Sequence, residues 1–156
     1  MIVSLHLTLK QMQNFVKQLN RYYLKNPALW EIDYSWDGFS WISNDDNTQS
    51  IISFRRMDKS GNEIIAVCNF VPVARSDYRI GVPRKGTYKR VFCSEDAKFG
   101  GKDTSTAVSY KSENKEMHGY ENSIAIDIPA MSVSYFSVPA KRAPKKTKKV
   151  IKSGNS

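Results

Sequence analysis

The run Ile64-Ile65-Ala66-Val67-Cys68 is the strongest indication of fold class in this sequence. All five side chains are apolar, so a strand built from them is apolar on both of its faces. Such a run is typical of a central strand that is covered on both sides. The sequence therefore predicts a β-sheet with a further layer packed against each face.

Shorter runs around this strand alternate between apolar and polar residues and are separated by turn residues. Residues 78–82 and 87–93 are expected to pair across the turn Pro83-Arg84-Lys85-Gly86. Residues 44–47 are predicted to form a turn, and residues 94–106 a long loop. About seven or eight short strands at this spacing predict an antiparallel β-sandwich. The clearest strands cover residues 39–42, 50–57, 64–68, 78–82, 87–93, 124–128 and 132–138.

The first segment of the chain carries a helical pattern. Thr8 followed by Gln11 forms a capping box, which predicts a helix start. Pro27 disfavours helix at the residue before it, so the helix is expected to end near Lys25. A lone helix cannot bury an apolar stripe by itself, so this one must pack on the sandwich or on a partner. The stripe recurs at three- and four-residue spacing and consists of Met12, Phe15, Val16, Leu19, Tyr22 and Tyr23.

The positive charge is concentrated at one end of the sequence. The 156 residues contain 24 Lys and Arg and 15 Asp and Glu, a net charge of +9. Seven of the positive charges lie in residues 141–152, which contain no acid, so the rest of the chain has a net charge of only +2. Residues 140–156 are therefore predicted to be a disordered, Lys-rich tail. A tail of this kind binds nucleic acid or another polyanion without specificity, which is one alternative function for the chain.

The two cysteines, Cys68 and Cys93, each lie in an apolar, strand-like run and form no metal-binding spacing. They are predicted to be reduced, buried thiols of a cytoplasmic protein, although a disulfide between neighbouring strands stays open at this point. No run approaches the roughly 18 apolar residues that a membrane span needs. The start of the sequence lacks the features of a signal peptide. We therefore expect no membrane partner.

The sequence offers little for catalysis. Its only histidines are His6, which precedes the capping box, and His118, which lies in a predicted turn. There is no Gly-x-Ser-x-Gly elbow and no phosphate-binding glycine loop. The acidic turn at residues 44–47 lacks the spacing of an EF-hand and is expected to be solvated. The acids are scattered without an evident pair, so we expect no active site, metal or cofactor in this chain alone.

The remaining chemical signal is aromatic. Trp30, Trp36 and Trp41 lie within twelve residues of one another, with Tyr34 and Phe39 among them. The apolar faces of a sugar ring stack on aromatic rings, while its hydroxyls bind nearby polar side chains. Trp36 and Trp41 suit that role and are flanked by the polar residues Asp37, Asn44 and Asp45. The alternative, which is open for all three tryptophans and strongest for Trp30, is that they belong to the core.

The order and spacing of several segments resemble those of glycogen (1,4-α-glucan) branching enzymes, which belong to the α-amylase family. The resemblance spans roughly residues 5–138 and is most specific at Gly38-Phe39-Ser40-Trp41-Ile42 and Asn69-Phe70-Val71-Pro72-Val73. It continues through Asn26–Asp33, Ser50–Arg56, Asp77–Pro83, Gly86–Val91, His118-Gly119 and Ile126–Ala130.

The resemblance implies a division of the chain and a function. Residues 1–30 would be the last helix of the catalytic barrel, residues 31–139 the C-terminal β-sandwich, and residues 140–156 an added tail. Branching enzymes cut an α-1,4-glucan through a covalent aspartate intermediate and transfer it to a glucose 6-hydroxyl, and this sequence matches none of the motifs of their barrel. The chain alone is therefore expected to be inactive.

Within a branching enzyme, the domain would stabilise the barrel and bind glucan weakly. The candidate glucan-binding residues are Trp36, Trp41 and Asp37. The alternative is a purely structural domain without glucan binding, which would self-associate through the apolar face of its helix.

Overall fold

The protein is a β-sandwich that carries one long helix. The computed structural model describes residues 2–103 and 108–140, with side chains from residue 8 onward, so the predicted tail from residue 141 lies outside the described residues. Helix α1 covers Ile2–Lys25, and short 3₁₀ helices lie at Pro27–Leu29, Trp36–Gly38 and Ala97–Phe99. The strands are β1 (Phe39–Asp46), β2 (Ile51–Met57), β3 (Glu63–Asn69), β4 (Arg75–Val82), β5 (Thr87–Cys93), β6 (Ser109–Lys111), β7 (Asn122–Ile128) and β8 (Val133–Ser137).

The strands form two antiparallel sheets, which confirms the predicted fold class. The large sheet has the order β1-β2-β3-β8-β5-β6, and the small sheet pairs β4 with β7. Alternate residues of the facing strands fill the space between the sheets, because successive side chains of a strand point to opposite faces. This core contains Ile42, Ile51, Ile65, Val67, Tyr88 and Phe136 from the large sheet and Ile80, Val82, Ile124, Ile126 and Ile128 from the small sheet.

Strand β3 is the central, doubly covered strand that its sequence predicts. It lies between β2 and β8, and all of its residues are buried. Ile65 and Val67 face the small sheet, as members of the core between the two sheets. Ile64 and Ala66 alternate with them and are buried on the other face, which we call the outer face of the large sheet. An apolar strand is stable here because both of its faces are removed from water.

Helix α1 packs on the outer face of the large sheet through aromatic rings. The ring centroid of Phe15 lies 5.8 Å from that of Phe92, and the ring of Tyr22 stacks on Tyr135 at 5.6 Å. Phe99 adds an edge-to-face contact with Phe15 at 5.3 Å. Of the two alternatives that the sequence left open for the helix, packing on the sandwich is therefore the one that the structure shows for Phe15 and Tyr22. Phe15 and Tyr22 provide this contact from the predicted stripe.

The predicted pairing of residues 78–82 with residues 87–93 is wrong. Strand β4 pairs with β7, with Ile80 opposite Ile124, whereas β5 pairs with β8 and β6. The turn between them carries the chain from the small sheet to the large one. Crossing between sheets lets Ile80 and Tyr88 reach the same core from opposite sides. The Tyr88 hydroxyl donates a 2.7 Å hydrogen bond to the Arg84 carbonyl and stabilises the turn.

Two boundaries and one additional strand also differ from the prediction. Helix α1 begins at Ile2, so Thr8 lies inside it, because no Pro or Gly precedes Thr8 to stop a helix that lengthens favourably. Strand β1 extends to Asp46, which accepts a 2.7 Å hydrogen bond from the Tyr78 hydroxyl of β4. Strand β6 lies in a segment for which no strand was predicted. The predicted helix end at Lys25 is confirmed.

Within the described part of the chain, none of the helices combines the length and the apolar character that crossing a membrane requires.

Candidate functional site

A shallow cleft of about 410 Å³ opens at the β1 edge of the large sheet, and four of its eight lining residues are aromatic. One side, which we call the strand wall, consists of Phe39 and Trp41 on β1. The other side, the loop wall, is formed by residues 32–36, which lead from the first 3₁₀ helix into the first residue of the second one. Arg56 of β2 lies between the two walls. We refer to this site as the aromatic cleft.

The strand wall is a rigid aromatic cluster. Phe39 and Trp41 lie on the same face of β1, and their ring centroids are 4.9 Å apart with perpendicular planes. Phe54 of β2, which is opposite Trp41 in the register, packs against both rings at 5.4 and 5.9 Å. Edge-to-face and offset contacts are the arrangements that aromatic pairs prefer, so they stabilise this cluster. The wall therefore presents a preformed apolar surface.

The loop wall exposes its aromatic side chains to solvent. Tyr34 is 81% exposed and Trp36 is 82% exposed. The ring of Trp36 contacts Phe39 edge-on at 6.1 Å, which joins the loop wall to the strand wall. Rings with free faces at the rim of a cleft can stack on an apolar ligand surface.

The structure brings two of the three predicted site residues together. Trp36 and Trp41 both line the cleft and are exposed, the latter by 44%, so the alternative that they are core residues is wrong. Trp30 is 41% exposed, so the core alternative, which was strongest for this residue, is wrong there too, although Trp30 lies outside the cleft lining. Asp37 stands beside the cleft, where its carboxylate accepts a 3.3 Å hydrogen bond from the hydroxyl of Ser35, which lines the cleft. Asn44 and Asp45 do not line the cleft.

Sequence reasoning missed Arg56, Asp33 and Tyr34 as part of this site. Arg56 Nη2 lies 2.6 Å from Asp33 Oδ1, so a charged pair forms on the cleft surface. Tyr34 stood among the aromatic residues in the sequence, but nothing there distinguished it from a core residue. Residues two apart in a strand point to the same face, so Arg56 shares a face of β2 with Phe54. This alternation is the sequence feature that could have placed Arg56 beside the aromatic residues.

Residues 41–139 match a protein family whose description is "Alpha amylase, C-terminal all-beta domain". The chain belongs to this family. The matched region starts on β1 at Trp41 of the strand wall and includes the small sheet.

The domain is similar to curated 1,4-alpha-glucan branching enzymes GlgB. It is 41% identical over 133 residues to the enzyme of Prochlorococcus marinus strain MIT 9211, covering 85% of this chain and 18% of that protein. Over 132 residues it is 42% identical to that of Francisella philomiragia, covering 84% and 21%. Over 124 residues it is 44% identical to that of Francisella tularensis subsp. novicida strain U112, covering 79% and 19%. The chain thus spans about one fifth of the length of these relatives.

A second apolar surface lies on helix α1 of the α-amylase C-terminal domain. Leu9, Met12, Val16 and Tyr23 are all exposed, and their spacing places them along one side of the helix. Met12, Val16 and Tyr23 belong to the predicted stripe, so the sandwich covers only part of that stripe. We call these four residues the helix face.

A polar cleft of about 480 Å³ lies beside the end of β1 and the start of β4, and His118 is one of its lining residues. The backbone N–H of Gly81 donates to Nδ1 of His118 at 3.3 Å, so this nitrogen carries no proton. Burial lowers the pKa of His118, while the Asp45 and Asp46 carboxylates act in the opposite direction. The charged and titratable side chains that line this cleft are Asp45, Asp46, Arg75, Asp77, Tyr78, Arg79 and His118.

The stability of the α-amylase C-terminal domain is expected to fall in mild acid through His118. The folded-state pKa lies below the unfolded-state value, so the contribution is complete at neutral pH and is lost as the pH falls through the depressed folded pKa. Asn tolerates the positive φ of 50° at this position and keeps an acceptor oxygen. We expect urea unfolding of His118→Asn between pH 7 and 5 to show a weaker pH dependence than the wild type. Equal pH dependence of the two proteins would contradict this role.

The cysteines of the domain are buried free thiols. Cys68 is opposite Val133 and Cys93 is opposite Ser134, on the two sides of β8. Two strand spacings separate them by roughly 9–10 Å, which is too far for a disulfide. Burial raises the pKa of each thiol, which favours the protonated form at neutral pH.

Cys93, Asp96 and Asp103 offer potential ligand atoms within 4.8 Å of one another. Cationic side chains already neutralise both carboxylates, because Lys98 Nζ lies 3.0 Å from Asp96 Oδ2 and Arg90 Nη2 lies 2.6 Å from Asp103 Oδ2. A metal ion here would have to displace these partners, so we assign none to this group.

Proposed function

We propose that this chain acts as the C-terminal domain of a 1,4-α-glucan branching enzyme, in which it supports the catalytic barrel and binds glucan at the aromatic cleft. The single observation that carries the glucan part is the convergence of exposed Trp36, Tyr34 and Trp41 on one cleft. The similarity to branching enzymes supplies the substrate class, since the names of these relatives specify a 1,4-α-glucan.

The chemistry of the cleft suits a glucan chain. The apolar faces of glucose units can stack on the rings of Trp36 and Trp41, which removes apolar surface from water. The hydroxyl of Ser35 in the lining and the carboxylate of Asp37 at the rim can form hydrogen bonds with sugar hydroxyl groups. Hydrogen bonds to charged groups are stronger than those between neutral groups. The open shape fits a long polymer that passes across the surface rather than a small molecule that is enclosed.

The helix face supports the barrel part of the proposal. An exposed stripe of Leu9, Met12, Val16 and Tyr23 is a surface that a soluble protein normally covers. A catalytic barrel that is packed against it would bury these side chains, while Phe15 and Tyr22 anchor the same helix to the sandwich. In this arrangement α1 is a shared element that fixes the sandwich to the barrel. The two buried thiols are compatible with the cytoplasm as the site of this function.

Isothermal titration of maltoheptaose tests the glucan part. We expect Trp36→Ala and Trp41→Ala each to weaken binding about tenfold, because an aromatic ring buried against a ligand contributes on the order of 1.5 kcal/mol. Trp30→Ala is the matched control, since Trp30 is similarly exposed but lies outside the cleft. It should leave the affinity unchanged.

Three outcomes of this titration would count against the proposal in different ways. Equal affinities of the wild type and Trp41→Ala would remove Trp41 from the site, and a loss of affinity in Trp30→Ala would move the site elsewhere. No detectable heat for the wild type would refute glucan binding.

If light scattering then showed self-association that Met12→Glu abolishes, the purely structural alternative would be favoured.

A further inference from the structure

Arg56 connects the two walls of the aromatic cleft. It is opposite Phe39 in the register of β1 and β2, so it lies directly beside the strand wall. Its Nη2 atom also donates to Asp33 Oδ1 at 2.6 Å and to the Leu29 carbonyl at 3.2 Å. One guanidinium group therefore ties the loop wall at Asp33, and the segment before it at Leu29, to a strand of the large sheet.

Two further contacts fix the segment before Asp33. The backbone N–H of Lys59 donates to the Glu31 carboxylate at 2.9 Å. The Ile32 carbonyl lies so close to Gly38 that a Cβ at Gly38 would come within 2.1 Å of it. Arg56 ties the segment one residue before Tyr34 and three before Trp36, which are the two exposed rings of the loop wall.

We infer that Arg56 is a positioning residue of the aromatic cleft, which sets the distance between the loop wall and the strand wall. The inference rests on the proposed glucan binding, because the distance matters only to a ligand that contacts both walls. A loop that is held in place before binding loses less conformational freedom when the ligand binds. A lysine would not replace Arg56, because the guanidinium is planar and holds its donors in a fixed arrangement.

Maltoheptaose titration of Arg56→Gln, Asp33→Ala and the double variant tests the inference. We expect each single variant to bind about fivefold to tenfold more weakly, because the loop must be ordered on binding. The double variant should be no weaker than Arg56→Gln, since both changes remove the same contact. Additive losses, or an unchanged affinity in Arg56→Gln, would overturn the inference.

Arg55→Gln is the matched control. Arg55 is adjacent in sequence, but its side chain is on the other face of β2, where it pairs with Glu63 at 3.1 Å. This variant makes the same change of charge and removes an ion pair, so it reports the effect of lower stability alone. We expect its glucan affinity to equal that of the wild type. An equal loss of affinity in Arg55→Gln and Arg56→Gln would show that Arg56 affects binding only through stability, which would overturn the inference.

A ligand-free measurement separates this inference from the proposed function. With Trp30 and Trp36 replaced by phenylalanine, Trp41 is the single tryptophan, and it is 44% exposed. Release of the loop wall in Arg56→Gln should raise the acrylamide quenching of Trp41, at most about twofold from that exposed fraction. If the wild type binds no glucan, the proposed function fails, and quenching alone decides the role of Arg56. Unchanged quenching of Trp41 in Arg56→Gln would overturn the positioning role of Arg56, and raised quenching would support that role.

Discussion

Replacement of Phe92 by alanine should lower the free energy of unfolding by about 3–5 kcal/mol, because it leaves a cavity between the helix and the large sheet. Phe92 is buried at the centre of the aromatic cluster that holds α1. Its ring centroid lies 5.8 Å from Phe15, 6.0 Å from Tyr22, 5.5 Å from Phe99 and 5.6 Å from Tyr135. The change removes contacts to both the helix and the sheet, so the helix should also lose protection against hydrogen exchange.

Urea unfolding and hydrogen exchange measure these two effects of Phe92→Ala. Val91→Ala is the control, because Val91 is the neighbouring residue on β5 and its side chain is exposed. A surface substitution of this kind should change stability by about 0.5 kcal/mol or less. A loss below about 1 kcal/mol in Phe92→Ala, or exchange protection of residues 8–25 that stays at the wild-type level, would show that this cluster does not anchor the helix.

The second large effect is expected at Glu63. Its side chain is only 5% exposed, and its two carboxylate oxygens accept hydrogen bonds from different arginines. Oε2 lies 3.1 Å from Arg55 Nη1, and Oε1 contacts Arg84 Nη2. Glu63→Ala leaves two largely buried guanidinium groups without their carboxylate, and breaking such a buried pair costs about 3 kcal/mol or more.

Chemical denaturation of Glu63→Ala beside Glu113→Ala checks this expectation. Glu113 pairs with Arg79 at 3.0 Å, but its side chain is 57% exposed. An exposed ion pair contributes about 0–1 kcal/mol because water and salt screen it. We therefore expect a loss of about 3 kcal/mol for Glu63→Ala and less than about 1 kcal/mol for Glu113→Ala. Similar losses in the two variants would show that the buried position of Glu63 has no special effect.

Local sequence patterns correctly predicted those elements whose residues are compatible with only one structure. The apolar run at residues 64–68 could be stable only where both faces are covered, and β3 is such a strand. Pro27 stops a helix wherever the helix packs, so α1 ends at Lys25 as expected. The start of α1 was not predicted, because a capping box favours a helix start but does not prevent the helix from beginning earlier.

The pairing of β4 could not be predicted from its own residues. Its alternating pattern suits pairing with β5, which is close in sequence, as well as with β7, which is far away. Pairing is decided by which arrangement lets the apolar side of each strand reach a common core. The chain satisfies that condition by changing sheets between Ile80 and Tyr88.

Local pattern alone was enough to place Phe39 and Trp41 in one short strand, to give the helix an apolar stripe, and to show the resemblance to branching enzymes. Which of these surfaces are covered follows from the packing of the whole domain. The helix lies over the β5 and β8 part of the outer face and leaves the β1 edge open, so Trp36 and Trp41 line a cleft. Periodicity fixes the direction of a side chain relative to its own backbone, whereas exposure depends on elements distant in the sequence.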